Sequence, residues 1–278
     1  MEDYEIFRVL ADAQARGQDV ALATVVRTQG SVPRHEGSKM IVWPDGRIAG
    51  TVGGGMLESK VIEAAQQAMA EARGRLLTYH LADMAAGDVG VCGGTVDVFV
   101  EPILPPPTVL VIGCGHVGKA VAELAKWVGF RVIVSDDRAD LCSEEHIPGM
   151  DGYVVAPASA LVEQVPISSQ TYIAAMTRGQ AVDVELLPPL LKSPARYIGL
   201  IGSRRRWALT ADMLREKGMG DQELARVHAP VGLELQAETP REIAVSVIAE
   251  IIMVQRGGHG RPMRWAKARA SAVDEEET

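Results

Sequence analysis

The chain has 278 residues, of which 47% are hydrophobic and 23% charged, a composition typical of a soluble globular protein that is long enough for two domains. Its net charge of -8 argues against nucleic acid as the main partner, because phosphate binding needs a basic surface. The sequence lacks an apolar run of roughly 18 residues, which a membrane span needs, and lacks a signal peptide pattern. We therefore expect a cytoplasmic protein with no membrane partner.

The first predicted elements are a helix over residues 4–15 and a buried strand over 20–26, followed by a loop over 27–39. This loop carries Arg34 and Lys39 among glycine, serine and proline residues. Two interpretations are open, a solvated hairpin connection or an edge that binds anions through N–H groups and cationic side chains.

Three consecutive glycines, Gly53, Gly54 and Gly55, follow two short predicted strands and lead into an amphipathic helix over 56–72. Glycines at a helix start cost backbone entropy, so a run of three needs a reason. A nest of N–H groups for a phosphate or another anion is one reason, and a tight packing contact is the other. The run of three glycines before a helix favours the anion-binding nest.

Another glycine pair, Gly93 and Gly94, follows Cys92 and opens a strand predicted over 96–101. A free cysteine is more often packed and inert, but the flanking glycines favour an exposed, usable thiolate. The chain's three cysteines are too widely spaced for a disulfide framework or a zinc site, and Cys114 and Cys142 read as free thiols.

Prolines in the segment 102–107 predict a linker, since such a run cannot continue a helix or a central strand. We therefore predict an α/β protein with an N-terminal mixed α+β domain over 1–104. A Rossmann-like parallel-sheet domain is predicted over 105–257, and a flexible tail over 258–278.

The second domain opens with a strand over 108–112, then Gly113, Gly115 and Gly118, a helix, and a second strand that ends at Asp136. In a Rossmann unit the three glycines permit the turn, the approach of a pyrophosphate and the close packing of the helix, respectively. The acid at the end of the second strand accepts hydrogen bonds from ribose hydroxyls, which favours NAD over NADP.

Strands predicted over 153–156, 171–176 and 197–201 alternate with helices over 158–164, 183–191 and 207–217. Ligands bind at the carboxyl ends of such strands, which points to four residues there: Thr177, Arg178, Ser203 and Arg204. A turn-rich loop over 227–232 contains His228, which taken alone is typical of a structural histidine. The last helix, over 241–255, starts with a capping box of Thr239 and Glu242.

Eight segments resemble, in order, those of the xanthine dehydrogenase accessory factor family, XdhC/CoxI: GSVPRHEGSKM, GTVGGGMLE, VCGGTVDVFVEP, VIGCGHVGKA, SDDR, MTRGQAVD, YIGLIGSRRR and HAPVGLELQAETPREIAVSVIAEI. The resemblance implies a maturation factor for molybdenum hydroxylases such as xanthine dehydrogenase, aldehyde oxidoreductase or CO dehydrogenase. Such a factor binds the molybdenum cofactor (molybdopterin) while a cysteine desulfurase exchanges an oxo ligand for sulfido, and then delivers it to the apo-enzyme. A homodimer is expected.

Carried onto this sequence, the resemblance implies cofactor binding by the glycines and cations named above, by Cys92, Asp136, Thr177, Arg178, Ser203, Arg204 and His228, and by His116 of the glycine turn. Cys92 is the candidate molybdenum ligand, because thiolate is a soft donor. The chain departs from the family pattern at Met56, where many members have cysteine, and at Gln180, where histidine is common.

Two functions therefore remain. A cofactor carrier has no turnover of its own, whereas an oxidoreductase would use NAD(P) or another nucleotide on the Rossmann half. No Ser–His–acid group or Tyr–Lys pair indicates hydride transfer, which counts against the enzyme. The carrier hypothesis further expects the glycine rims of the two halves to face one common cleft.

Overall fold

The structure, a computed structural model, describes residues 3–81 and 93–263. The first part of the chain forms a five-stranded antiparallel sheet with the order β3-β2-β1-β5-β4. Its elements are α1 Asp3–Ala15, β1 Val20–Gln29, β2 Lys39–Val42, β3 Ile48–Gly50, α2 Gly55–Glu71, β4 Arg75–His80 and β5 Thr95–Ile103.

Helices cover both faces of this sheet. On one face α2 buries Leu57, Val61 and Ala65, which recur every four residues and so lie along one side of the helix. On the other face α1 packs Ile6 against Ile41 of β2. The mixed helix and strand content predicted for this half is confirmed.

The second part of the chain forms a six-stranded parallel sheet with the order β11-β10-β9-β6-β7-β8. Its elements are β6 Thr108–Ile112, α3 His116–Val128, β7 Arg131–Asp136, β8 Gly152–Val155, α4 Leu161–Gln164, β9 Thr171–Ala175, α5 Gln180–Leu191, β10 Tyr197–Leu200, α6 Arg204–Glu216, α7 Asp221–Leu224, β11 Val227–His228 and α8 Pro240–Arg256. β6 and β9 are central, buried along their whole length, and the strand order reverses between them. This is the predicted Rossmann-like arrangement, with its switch point at β6 and β9.

Several element boundaries differ from the sequence prediction. β5 includes Pro102, which the sequence predicts as part of the linker. The pairing of β5 with β4 ends at Val100, so beyond that residue the edge of β5 that faced β4 is unpaired, and a proline without an N–H is tolerated there. Both prolines of α5, Pro188 and Pro189, lie inside a continuous helix whose leucines are buried in the core. The segment around His228, predicted as loop, contributes the two-residue strand β11.

The two halves meet at the amino ends of the parallel strands. Arg196, which precedes β10, donates a hydrogen bond from Nη1 to the carbonyl of Ala70 near the end of α2, at 3.4 Å. Asp19, which precedes β1, shares a cavity with Ser169, which precedes β9. This junction lies opposite the carboxyl edge of the parallel sheet. Across the described ranges, the structure has no helix that is both long and apolar enough to cross a bilayer.

Candidate functional sites

The predicted glycines of the N-terminal half lie around the loop between β1 and β2. A Cβ atom on Gly94 would stand 2.3 Å from the Ser31 carbonyl oxygen, and one on Gly30 would stand 3.1 Å from the Gly93 carbonyl oxygen. The start of β5 and the end of β1 therefore approach so closely that side chains are excluded at Gly94. We call the surface formed by Gly30, Arg34, Lys39, Gly53–Gly55 and Gly93–Gly94 the N-terminal rim.

The glycine triplet borders the same loop. A Cβ on Gly53 would stand 2.9 Å from Pro33, whereas Cβ atoms on Gly54 and Gly55 would meet open space. Gly54 is the N-cap of α2 and supplies no side-chain cap, so the first N–H groups of α2 lack that partner. Gly53 is thus a packing contact, whereas Gly54 and Gly55 leave space at the helix start, and the ligand interpretation of the triplet stays a prediction.

The two predicted cations of the N-terminal rim, Arg34 and Lys39, line one cavity of about 310 Å³ together with Thr51. Lys39 donates from Nζ to the Gly37 carbonyl at 2.8 Å and lies 5.7 Å from the centroid of the Phe7 ring. Arg34 is exposed on the loop. The loop therefore brings Arg34 and Lys39 to one cavity, which Glu36 of the same loop also lines, and the anion-binding interpretation stays a prediction.

Cys92, the candidate molybdenum ligand, lies outside the described residues, and its role stays a prediction. Its neighbour Gly93 contacts Gly30, and three residues further along that loop Pro33 contacts Gly53. Three residues span at most roughly 11 Å, so Gly93 and Gly53 border one short loop. In residues 3–81 and 93–263, His, Cys, Asp and Glu do not cluster in threes as a metal site needs.

The glycine turn of the Rossmann half has the predicted form. Gly113 has a φ of 103°, and a Cβ there would stand 2.4 Å from the Met176 carbonyl oxygen. A Cβ on Gly118 would stand 1.7 Å from the Gly113 carbonyl oxygen, which explains why α3 packs so close to β6. Gly115, the N-cap of α3, faces open space.

A cavity of about 380 Å³ lies beside this turn at the carboxyl edge of the sheet, and we call it the Rossmann pocket. Its lining includes five residues that the sequence singled out, namely Gly113, Gly115, Asp136, Thr177 and Arg178. The switch point therefore brings the predicted strand ends together. His116, Gly118, Ser203, Arg204 and His228 do not line it.

Asp136 does not offer a free carboxylate to a ribose. Its Oδ2 accepts from the Cys114 N–H at 2.7 Å and from Arg138 Nη2 at 2.9 Å, while Oδ1 accepts from the Arg138 N–H and Nε. Four hydrogen bonds occupy the roughly four acceptor positions of a carboxylate. Although burial opposes ionisation, Arg138 and the two N–H groups hold the pKa of Asp136 well below its usual range. Asp136 therefore ties β7 to the glycine turn, and its predicted ribose contact stays a prediction.

Arg178 forms an ion pair with Asp137, the residue that follows β7. Nη1 lies 3.0 Å from Oδ1 and Nη2 lies 2.6 Å from Oδ2. Both side chains are about half exposed and line the Rossmann pocket. The sequence analysis named Arg178 but not its partner Asp137. The only signal for Asp137 was that it directly follows Asp136 in the segment SDDR.

Thr177 lines the Rossmann pocket, but its hydroxyl belongs to a buried network. Its hydroxyl bonds to Asp183 Oδ1 and accepts from Arg206 Nη2, and Arg206 pairs with Asp183, whose side chain is fully buried. Ser203 caps α6 by accepting from the Arg206 N–H at 3.2 Å, and Arg204 is exposed on the first turn of that helix. Sequence reasoning missed both Arg206 and Asp183.

His228 pairs with Glu250 of α8, with Nδ1 and Oε1 2.9 Å apart. The same carboxylate accepts from the Tyr197 hydroxyl at 2.6 Å and from the Gly232 N–H at 2.7 Å. Burial opposes ionisation of Glu250, but the His228 and Tyr197 contacts lower its pKa. Glu250 of α8 thus holds His228 in place, and the predicted role of His228 in cofactor binding stays a prediction. The signal in the sequence was Glu250, an acid in the apolar part of α8, beyond the capping-box acid Glu242.

The N-terminal rim and the Rossmann pocket are separate. The rim lies at the start of α2 and the end of β1, whereas the halves meet at the end of α2 and the start of β1. Among the described residues, those that line the pocket, on the far edge of the parallel sheet, all belong to the Rossmann half. The described residues of one chain therefore do not form the expected common cleft.

Comparison with known families assigns the chain. A family model described as the XdhC Rossmann domain matches residues 109–251, slightly more than half of the chain, and a second, described as the XdhC and CoxI family, matches residues 13–80. The chain belongs to the XdhC and CoxI family. The resemblance seen in the sequence motifs is confirmed, and the XdhC Rossmann domain corresponds to the parallel sheet and its helices.

Three relatives of this XdhC-family chain illustrate the similarity. YqeB of Escherichia coli K12 is 39% identical over 257 residues, which cover 92% of this chain and 47% of that protein. A Bacillus subtilis 168 protein, named as a probable component of xanthine dehydrogenase, is 32% identical over 58% of this chain and 47% of its own length. The molybdenum cofactor insertion chaperone PaoD of Escherichia coli K12 is 25% identical over 90% of this chain and 88% of its own length. The chain thus spans about half the length of the first two relatives.

Proposed function

We propose that this XdhC-family chain is a maturation factor for a molybdenum hydroxylase of the xanthine dehydrogenase, aldehyde oxidoreductase or CO dehydrogenase type. In this role it binds the molybdenum cofactor, holds it during sulfuration by a cysteine desulfurase, and delivers it to the apo-enzyme. The observation that carries the proposal is the similarity to PaoD, a molybdenum cofactor insertion chaperone, which extends along 88% of PaoD's length. The chain acts as a homodimer with domains over 1–104 and 105–257.

The residues of the N-terminal rim fit an anionic pterin. Gly54 and Gly55 leave open the space that a Cβ would fill, and the start of α2 has no side-chain cap, so N–H groups can meet a phosphate. Arg34 adds positive charge on the adjoining loop, in the same cavity as Lys39. These groups bind and orient a ligand without turning it over.

Cys92, which precedes Gly93 of the rim in the sequence, is the residue that suits a soft metal. When bound, the cofactor supplies an oxidised molybdenum centre that accepts a thiolate donor. In this chain Met56, 44% exposed on the first turn of α2, occupies the position of the family cysteine, so Cys92 acts alone. The role of the protein is then to hold the cofactor at the rim and to exclude competing donors.

The test is cofactor retention. The full chain is purified from a molybdenum-replete host, and the released pterin is oxidised and quantified by fluorescence. We expect pterin to co-purify with the wild type and the protein to activate a molybdenum hydroxylase apo-enzyme. The variant Arg34→Gln should retain pterin roughly tenfold more weakly, because it loses a charge-assisted contact to the ligand.

Arg16→Gln is the matched control. Arg16 is also exposed, but it lies just after α1 and before β1, at the junction end of the N-terminal half. It should retain pterin like the wild type. Cys92→Ala tests the metal contact separately. Full pterin retention by this variant would contradict a thiolate ligand without contradicting pterin binding by the rim. If the wild type neither co-purifies with pterin nor activates the apo-enzyme, the carrier proposal is contradicted.

A further inference from the structure

The ion pair between Arg178 and Asp137 crosses over the glycine turn. Arg178 follows β9 and Asp137 follows β7, and β6 lies between these strands in the sheet. Strands in a sheet are about 4.8 Å apart, so the pair reaches across roughly 10 Å. Gly113 and Gly115 of the β6–α3 turn share the lining of the Rossmann pocket with both charged residues. The bridge thus occupies the place where a ligand at the switch point would lie.

Both acids at the end of β7 already have partners within the chain, which disfavours recognition of a nicotinamide dinucleotide through its ribose hydroxyls. Ribose recognition needs a carboxylate that is free to accept hydrogen bonds at the end of β7. Asp136 already accepts four hydrogen bonds from its own chain, and Asp137 accepts two from Arg178. The cationic groups on this wall are Arg178 and the half-exposed Arg138, which also pairs with Asp136, and the acidic residue Glu185 lines the same pocket.

We propose that the Rossmann pocket binds a nucleotide through its phosphates, and that Asp137 is an internal competitor that holds Arg178 until a phosphate replaces it. The ligand class is a nucleoside diphosphate or a related phosphate-rich nucleotide. The proposal concerns the Rossmann half alone and stands apart from cofactor binding at the N-terminal rim.

The exchange is favourable for three physical reasons. The side chains of Arg178 and Asp137 are 55% and 43% exposed, and ion pairs this exposed contribute little to stability. A phosphate at the turn gains the positive end of α3 as well as the guanidinium. The cavity of about 380 Å³ is within the range of small-ligand sites, and its apolar wall at Pro157 and Leu161 can pack against a base.

Calorimetric titration of the full chain with ADP, NAD and adenosine tests the exchange. Asp137→Asn should bind ADP roughly two- to fivefold more tightly than the wild type, because Arg178 is released. Arg178→Gln should bind ADP roughly tenfold more weakly. In the double variant Asp137→Asn/Arg178→Gln, affinity should stay within about twofold of that of Arg178→Gln alone, because Asp137 bonds closely to Arg178 whereas Arg138 Nε lies 3.8 Å away. Adenosine, which has no phosphate, should be insensitive to Asp137→Asn.

Asp212→Asn is the matched control, since Asp212 is also an exposed partner of an arginine but lies on α6, outside the pocket lining. It should leave ADP affinity unchanged, and unfolding curves verify that each variant is folded. Weaker ADP or NAD binding by Asp137→Asn would mean that Asp137 contacts the ligand itself, and would overturn the proposal. So would a double variant that differs from Arg178→Gln by more than about twofold, or no ADP binding by either the wild type or Asp137→Asn.

Discussion

Arg206 and Asp183 form an ion pair at 2.7 Å in which the Asp183 side chain has no solvent exposure and the Arg206 side chain has 22%. The pair connects α6 to the start of α5 and holds the loop that follows β9, because Arg206 also donates to the Thr177 carbonyl. Both Arg178 of the Rossmann pocket and Thr177 depend on this loop for their position.

Replacement of Arg206 should therefore be costly. Arg206→Met leaves a buried carboxylate without its partner, for which we expect a loss of about 3–5 kcal/mol in the free energy of unfolding. Urea unfolding followed by circular dichroism measures it. Arg215→Met removes an arginine from an exposed pair and should cost at most about 1 kcal/mol. Equal losses in the two variants would contradict the structural role of Arg206.

The glycine turn offers a second comparison. Gly118→Ala places a Cβ 1.7 Å from the Gly113 carbonyl oxygen, so α3 has to move and we expect a loss of at least about 3 kcal/mol. Gly115→Ala meets open space at a φ of -68° and changes only the N-cap, at a cost of about 1 kcal/mol. Thermal unfolding of the two variants distinguishes them. A Gly118→Ala protein as stable as Gly115→Ala would contradict the close packing of α3 against the Gly113 carbonyl.

The pH dependence of stability should report on Asp136. Its folded-state pKa lies below the ordinary value, so its contribution is present above the unfolded-state pKa of about 3.9 and is lost as the pH falls further. At pH 7 we expect Asp136→Asn to be less stable than the wild type by about 2 kcal/mol. Urea titrations from pH 7 to pH 3 should show this difference shrinking below pH 4. A difference that stays constant would argue against the bonded carboxylate.

Two buried tyrosines should respond differently to loss of the hydroxyl. Tyr197 donates to Glu250 at 2.6 Å, and Tyr197→Phe should lose about 1–2 kcal/mol of unfolding free energy. The Tyr172 hydroxyl is buried without a hydrogen-bond partner in the described part of the chain. Tyr172→Phe removes that unsatisfied group and should be neutral or stabilising. Matched denaturant titrations of the two variants decide the point, and a larger loss for Tyr172→Phe would refute it.

The sequence by itself determined the Rossmann-like unit and the start of α8, whereas α5 and α6 begin three residues earlier than predicted. A buried strand, three glycines at fixed spacing and a capping box at Thr239 are local patterns, and each is set by the backbone conformation or hydrogen bonding of residues close in sequence. The same holds for the amphipathic face of α2. The sequence also named the N-terminal glycines and Arg34, whose role in binding stays a prediction.

Only the tertiary structure decided which groups these residues meet. Asp136 was named as a ribose ligand from its place at a strand end, but the fold brings the Cys114 N–H and Arg138 to its carboxylate. Arg178 meets Asp137 because β9 and β7 flank β6, an order that no local pattern encodes. Pairing between residues distant in the chain depends on strand order and on how the halves join, and those are set by packing of the whole molecule.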